Sequence, residues 1–207
     1  SPFVLAQPKD ENEMIVPAVE GTKRVIAAAQ RARVKRLVLT SSTFAIIAGK
    51  NSGRYGTDAW SDTNANIGAY AKSKTMAERA AWEAVKCSDM ELTVINPGAV
   101  FGPSLGATMD GQSVTMMTAM INGKMPMLPD MSMGMVDVRD VARLHVKAMT
   151  ADGASEPALV GPWTMGRDKK NPKPLDGNAF ITLVKTASEF VRRSEQQLHA
   201  TLHQSVT

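Results

Sequence analysis

From Asp10 to about Arg33 the apolar residues Ile15, Val19, Val25, Ile26 and Ala29 recur at helical spacing. This spacing predicts an amphipathic helix that continues through Pro17 and Gly21. The rhythm then changes: Leu37-Val38-Leu39 is an unbroken apolar run that ends in Thr40-Ser41-Ser42-Thr43. Such a run predicts a short buried strand with a polar C-terminal end. Residues 49–68, rich in Gly, Asn, Ser and Asp, predict a loop. A second helix is expected from about Ala69 to Lys86, its small face of Ala77, Ala80, Ala81 and Ala84 permitting close packing. A second buried strand is expected at Leu92-Thr93-Val94-Ile95, stopped by Asn96-Pro97-Gly98 because proline lacks a ladder donor. Helix, strand, helix, strand is the repeating unit of a parallel sheet with helices on both faces.

The C-terminal half carries a weaker pattern. Nine of the fourteen methionines fall between Met109 and Met135, where flexible thioethers fill irregular core gaps or line an adaptable pocket. Val136-Asp137-Val138-Arg139-Asp140 leads into a helix expected from Val141 to Met149, with Asp140 as its N-cap. Residues 162–177, with Pro172 and Pro174, predict a linker. Residues 178–207 place Phe180, Leu183, Val184, Ala187, Val191 and Leu198 on one face of a terminal amphipathic helix.

Composition excludes several classes. With 43% hydrophobic and 21% charged residues the chain is ordinary for a globular protein. A net charge of +4 is spread along the chain and not interleaved with aromatics, so no nucleic-acid partner is expected. No apolar run reaches the ~20 residues that span a bilayer, and Ser1-Pro2-Phe3 opens no targeting signal. Cys87 is the single cysteine, without a disulfide partner or metal-ligand spacing around it. These features predict a soluble cytoplasmic protein without membrane or metal.

The chemistry concentrates at Tyr70 and Lys74. Four residues apart on a helix, they share one face about one turn apart. A tyrosine of pKa ~10 is a poor acid-base catalyst near neutrality, and a nearby ammonium stabilises its phenolate. Ser42 lies at the C-terminal end of a parallel strand, where open α/β sheets place their ligands. Its hydroxyl can hold a carbonyl within reach of the tyrosine proton. Ser41 and Thr43 are near alternatives.

Four ordered segments carry a resemblance: Leu39-Thr40-Ser41-Ser42; Tyr70-Ala71-Lys72-Ser73-Lys74 with Ala77-Glu78; Pro97-Gly98-Ala99-Val100-Phe101-Gly102-Pro103; and Val136-Asp137-Val138-Arg139-Asp140-Val141-Ala142. Together they resemble signatures of extended short-chain reductases of the NAD-dependent epimerase/dehydratase superfamily. They are similar in particular to the branch typified by dihydroflavonol 4-reductase and cinnamoyl-CoA reductase. Ser1-Pro2 and Asp58-Ala59-Trp60-Ser61-Asp62 agree with that branch. The resemblance covers residues 1 to about 161 and implies a partial Rossmann-like, doubly wound parallel sheet without its first strands, with a small substrate region.

It also implies NAD(P)-dependent reduction of a small-molecule carbonyl. Tyr70 would be the general acid, Lys74 would tune it and hold the nicotinamide ribose, and Ser42 would orient the carbonyl. Pro97, Gly98, Ala99 and Val100 would pass beside the nicotinamide. The family's Gly-x-x-Gly-x-x-Gly turn is not in this sequence, so weak or absent binding of NADP or NAD is expected from this chain. Without the first strands, Leu37-Val38-Leu39 would be an apolar sheet edge, which favours a homo-oligomer.

Two other functions compete. Gly102-Pro103-Ser104-Leu105-Gly106 fits a nucleophile elbow, followed by Asp137 or Asp140 and His145, but eight residues separate Ser104 from the end of the preceding strand. A cofactor-independent hydrolase can also be drawn with Ser42 as nucleophile and Tyr70 with Lys74 as base. The non-catalytic alternative is a binding module that uses the open edge or the terminal helix.

Overall fold

The structure is a computed structural model that describes residues 7–50, 55–56, 58–103, 111–124, 133–150, 158–160 and 163–165. The terminal helix expected at 178–207 lies outside them, as does the expected linker apart from its first residues. The described residues divide into two compact units, one drawn from Ser1–Gly98 and Arg139–Pro162, the other from Ala99–Val138 and Trp163–Thr207.

In the first unit, helix α1 (Asn12–Arg31) leads into strand β1 (Arg36–Thr40). Pro17 sits inside α1 on its exposed side, where the carbonyl deprived of a partner meets water. The face that α1 buries is Ala18 and Ile26, while Val25 is 59% exposed. Helical spacing alone puts both Val25 and Ile26 on the inner face, but they stand 100° apart around the axis, and in the structure Ile26 takes the inward place.

After β1 comes a one-turn helix, α2 (Phe44–Ile47), and then α3 (Ala69–Val85) and β2 (Glu91–Pro97). Strand β2 pairs in parallel with β1, Leu37 opposite Leu92 and Leu39 opposite Val94. On its other side β2 pairs in parallel with β5 (Ala158–Val160). The strand was expected to stop before Pro97, but it runs through it. Proline lacks only the donor, and the Pro97 carbonyl still accepts from Thr43 N at 3.0 Å.

Alternation along the strands sorts the two faces. Ile26, Ala81, Met90, Leu92 and Val94 form the core beneath α1 and α3, flanked by Leu37 and Leu39. The opposite face of β1 meets α5 (Val138–Thr150), where Arg36 donates to the Ala148 carbonyl at 3.2 Å and Thr40 bonds His145 at 2.7 Å. Helices thus cover both faces of a parallel sheet, as in a doubly wound fold. The order β1-β2-β5 leaves β1 at the edge of the described sheet.

The start of α5 differs from expectation. The helix begins at Val138, so Asp140 lies in its first turn, bonded to Arg143 at 3.1 Å, and is not the N-cap. A carboxylate there still favours the helix through the unpaired N–H groups of the first turn.

The second unit contains β3 (Ala99–Phe101), α4 (Gln112–Ile121), β4 (Met133–Asp137) and β6 (Trp163–Met165). Strand β4 lies between β3, parallel to it, and β6, antiparallel to it. Strand β6 occupies the first residues of the stretch read as linker.

Candidate active site

Helix α3 is held at its first turn by contacts that sequence spacing does not reveal. Gly68 precedes it with φ +80° and ψ 153°, a conformation open essentially to glycine alone. A β-carbon there would stand 2.9 Å from Gln7 Nε2, while Gln7 Oε1 accepts from Ala69 N at 3.1 Å. Glu11 pairs with Lys72 at 2.7 Å. We expect Gly68→Ala to cost roughly 1–3 kcal/mol of stability through backbone strain, measured by chemical denaturation; a variant as stable as the parent would refute this account of the helix start.

Tyr70, Lys74 and Glu78 follow at four-residue spacing along α3 and so share one face. Lys74 Nζ lies 5.8 Å from the centre of the Tyr70 ring, and the Phe44 ring meets Tyr70 edge-on at 6.0 Å. Burial pushes the Tyr70 phenol above its ordinary value, and a side-chain hydrogen bond with Ser42 works against that rise. The expected lowering by Lys74 is not found: burial raises the phenol, and the effect opposing it comes from Ser42. Burial also depresses Lys74, partly offset by the charge of Glu78. Among the described residues the Lys74 ammonium donates no hydrogen bond, leaving its donors for a hydroxyl-bearing ligand.

Ser42 sits where β1 gives way to α2. Ser41 N donates to Ile95 O at 2.8 Å and Thr43 N to Pro97 O, so the parallel pairing extends past the strand and fixes the turn. The Ser42 hydroxyl oxygen accepts from Phe44 N at 3.2 Å, and the same hydroxyl lies near enough to Tyr70 to pull its phenol downward. Ser61, fully buried, laces α2 in place: its hydroxyl donates to Phe44 O and accepts from Ala48 N, both at 2.8 Å. The loop Asp58-Ala59-Trp60-Ser61-Asp62 therefore supports the serine turn, with Trp60 under the Arg79 guanidinium at 5.1 Å.

Ser42, Tyr70 and Lys74 are brought together, while the two alternative hydroxyls are placed differently. Ser41 Oγ is buried and makes no hydrogen bond among the described residues, and Thr43 opens α2. Pro97 ends β2 and Gly98 follows it in the first unit, whereas Ala99 and Val100 belong to β3 in the second.

The hydrolase residues do not form a triad among the described residues. Ser104 lies outside them. His145 has both ring nitrogens engaged, one with Thr40 and the other 2.8 Å from the Val141 carbonyl, and Asp140 is paired with Arg143. Gly102, with φ +150°, brings its backbone against the Val138 side chain, where a β-carbon would overlap Val138 Cγ1. That close approach explains the glycine without an elbow.

Two residues next to the site went unread in the sequence. Glu78 is 2% exposed and Asn96 is fully buried, and they bond each other at 2.8 Å. The four-residue step from Lys74 to Glu78 was the available signal for the first. No group of His, Cys, Asp and Glu among the described residues could hold a metal ion, and no described helix is long and apolar enough to cross a membrane.

The profile of the NAD dependent epimerase/dehydratase family matches residues 2–161. Cinnamoyl-CoA reductase 1 of Arabidopsis thaliana is 37% identical over 152 residues, covering 70% of this chain and 44% of that protein. A putative NADPH-dependent methylglyoxal reductase of Candida albicans is 31% identical over 179 residues, covering 77% and 52%. The yeast methylglyoxal/isovaleraldehyde reductase Gre2, solved with NADPH, superposes with a TM-score of 0.68 at 25% identity, over 78% of this chain and 54% of that one. The chain thus spans about half the length of the curated relatives it matches. On the strength of the profile match and these relatives, the chain belongs to the NAD dependent epimerase/dehydratase family.

Proposed function

We propose that the protein to which this chain belongs reduces small-molecule aldehydes or ketones with NADPH or NADH, with Tyr70 as proton donor. The observation that carries the proposal is the placement of Tyr70 and Lys74 on one face of α3, with Phe44 of the Ser42 turn against the Tyr70 ring and Ser42 itself at the C-terminal end of a parallel strand. A phenol held protonated by burial suits donation of a proton better than its abstraction, which favours reduction over a Ser42 hydrolase. The donor set fits one end of a nicotinamide cofactor, because the Lys74 ammonium has donors to spare for ribose hydroxyls. Pro97 to Val100 is the segment proposed to lie beside the nicotinamide. When bound, the cofactor supplies the hydride to the carbonyl carbon. The residues of this chain do the rest: the Ser42 hydroxyl holds the carbonyl oxygen, the Tyr70 O–H gives it a proton, and the Lys74 ammonium steadies the phenolate left behind.

Relatives named for cinnamoyl-CoA and methylglyoxal support small-molecule carbonyls of these kinds as the first substrates to try. The test is oxidation of NADPH or NADH followed by absorbance over a panel of such carbonyls. Ser42→Ala should lower kcat by roughly 10-fold or more, as for loss of a polarising hydroxyl. Absence of consumption with every carbonyl, together with absence of dinucleotide binding, would overturn the reading.

We also propose a homo-oligomer, on a narrower basis than the sequence offered. Ala81 of the small face on α3 belongs to the core with Ile26 of α1, and the Ala84 carbonyl accepts from Gln30 at 2.9 Å, so this part of the face is used within the chain. The edge of β1 is what supports association.

A further inference from the structure

Asn96 occupies the last part of β2 on the same face as Leu92 and Val94, the face turned toward α3. Its side-chain amide donates 2.8 Å to Glu78 Oε2 on α3 and 3.1 Å to the backbone carbonyl of Ser42. Both partners are acceptors, so the amide orientation is fixed by chemistry. One buried side chain therefore ties together the central strand, the helix of Tyr70 and Lys74, and the turn of Ser42.

Glu78 and Asn96 are also too costly to be filler. Burial raises the Glu78 carboxyl above its ordinary value, against hydrogen bonds from neighbours including Asn96 and the charge of Lys74. Trp82 Nε1 and Ser41 Oγ lie near enough to influence that carboxyl, yet among the described residues neither completes a hydrogen bond and Asn96 Oδ1 meets no donor. A pair chosen for stability alone would be apolar here, since a half-satisfied buried network is worse than a packed apolar one. Thr40, the next residue toward the α5 face, shows what β1 does elsewhere with a polar side chain: it reaches His145 at the exposed surface.

We propose that Glu78 and Asn96 are positioning residues that clamp the Ser42 turn to α3, so that the serine hydroxyl meets the Tyr70 phenol. Neither touches the reacting atoms. The proposal rests on the reductase reading for its effect on turnover, but the clamp itself is a property of this chain.

The test compares Glu78→Gln, which keeps an acceptor for Asn96, with Glu78→Met, which removes it at similar length. The chain has only two tyrosines, so carbon-13 labelling at Cζ resolves Tyr70 from Tyr55 by NMR. Glu78→Met should raise the Tyr70 titration midpoint by about 0.5–1 unit as the Ser42 hydrogen bond slackens, while Glu78→Gln leaves it in place. In turnover, Glu78→Met should lower kcat ~10-fold with KM changed less than ~3-fold, and Glu78→Gln should restore it. If Glu78→Met does not fold, Asn96→Thr, near in volume and too short to span both acceptors, is measured in the same way. Equal shifts in Gln and Met variants, or no shift in a folded clamp variant, would overturn the proposal. A Tyr70 shift in a protein that turns over no carbonyl would keep the clamp and sink the reductase reading instead.

Discussion

Replacing Tyr70 by phenylalanine should lower kcat for carbonyl reduction by at least ~10²-fold while KM changes little, as for a positioned general acid. The substitution is clean because it removes one oxygen. The phenyl ring keeps its edge-on contact with Phe44 and stays beneath Lys74, so α3 and the serine turn have no reason to move. What disappears is the proton that the carbonyl oxygen must receive, together with the partner of the Ser42 hydroxyl. Steady-state kinetics on the protein that contains this chain, with dinucleotide affinity measured alongside, separates the two roles. Full turnover in the phenylalanine variant would show that another group supplies the proton.

Most of the site was legible from periodicity because its residues are carried on the strongest elements. Helices α1 and α3 and strands β1 and β2 begin and end within a few residues of the expected positions, since long amphipathic helices and unbroken apolar runs leave little ambiguity. The polar end of β1 and the Tyr-Lys spacing then put Ser42, Tyr70 and Lys74 on the page together. What escaped were elements too short to show a period: α2 has four residues, and β3, β5 and β6 have three each. Helix α4 was hidden in the methionine-rich stretch, where apolar residues are too dense for one face to stand out.

Asn96 escaped for another reason. It was read as the punctuation of a strand, because Asn-Pro-Gly ordinarily marks a turn, whereas the parallel pairing of Asn96 with Leu159 keeps it in the sheet and aims it at Glu78. The partners stand eighteen positions apart in the chain, and no local pattern links them. The strand-end rule, by contrast, sufficed to point to the turn after β1, while the choice of Ser42 over Ser41 and Thr43 there came from the family resemblance.

Lys74 is where function and stability should pull in opposite directions. Burial holds its folded pKa below the ordinary value of 10.5, so the folded state resists the charged form. Between the depressed folded value and 10.5 the unfolded chain binds more protons, and stability rises with pH across that window. Below it the full penalty is present, which includes neutral pH. Lys74→Met removes this charge at similar length and should therefore melt at a higher temperature than the parent near neutrality. The same variant should lose about 10²-fold in kcat, because nothing then steadies the Tyr70 phenolate. The pH profile distinguishes this from a packing effect. Reduction needs both Tyr70 and Lys74 protonated, and burial raises Tyr70 while it lowers Lys74, which favours Lys74 as the group whose loss of a proton is felt as pH rises. The alkaline limb of kcat should belong to Lys74, and Lys74→Arg, whose guanidinium keeps its charge beyond about pH 12, should move that limb upward. A Lys74→Met variant that melts lower and keeps its turnover, or an arginine variant with the parent's limb, would remove Lys74 from the site.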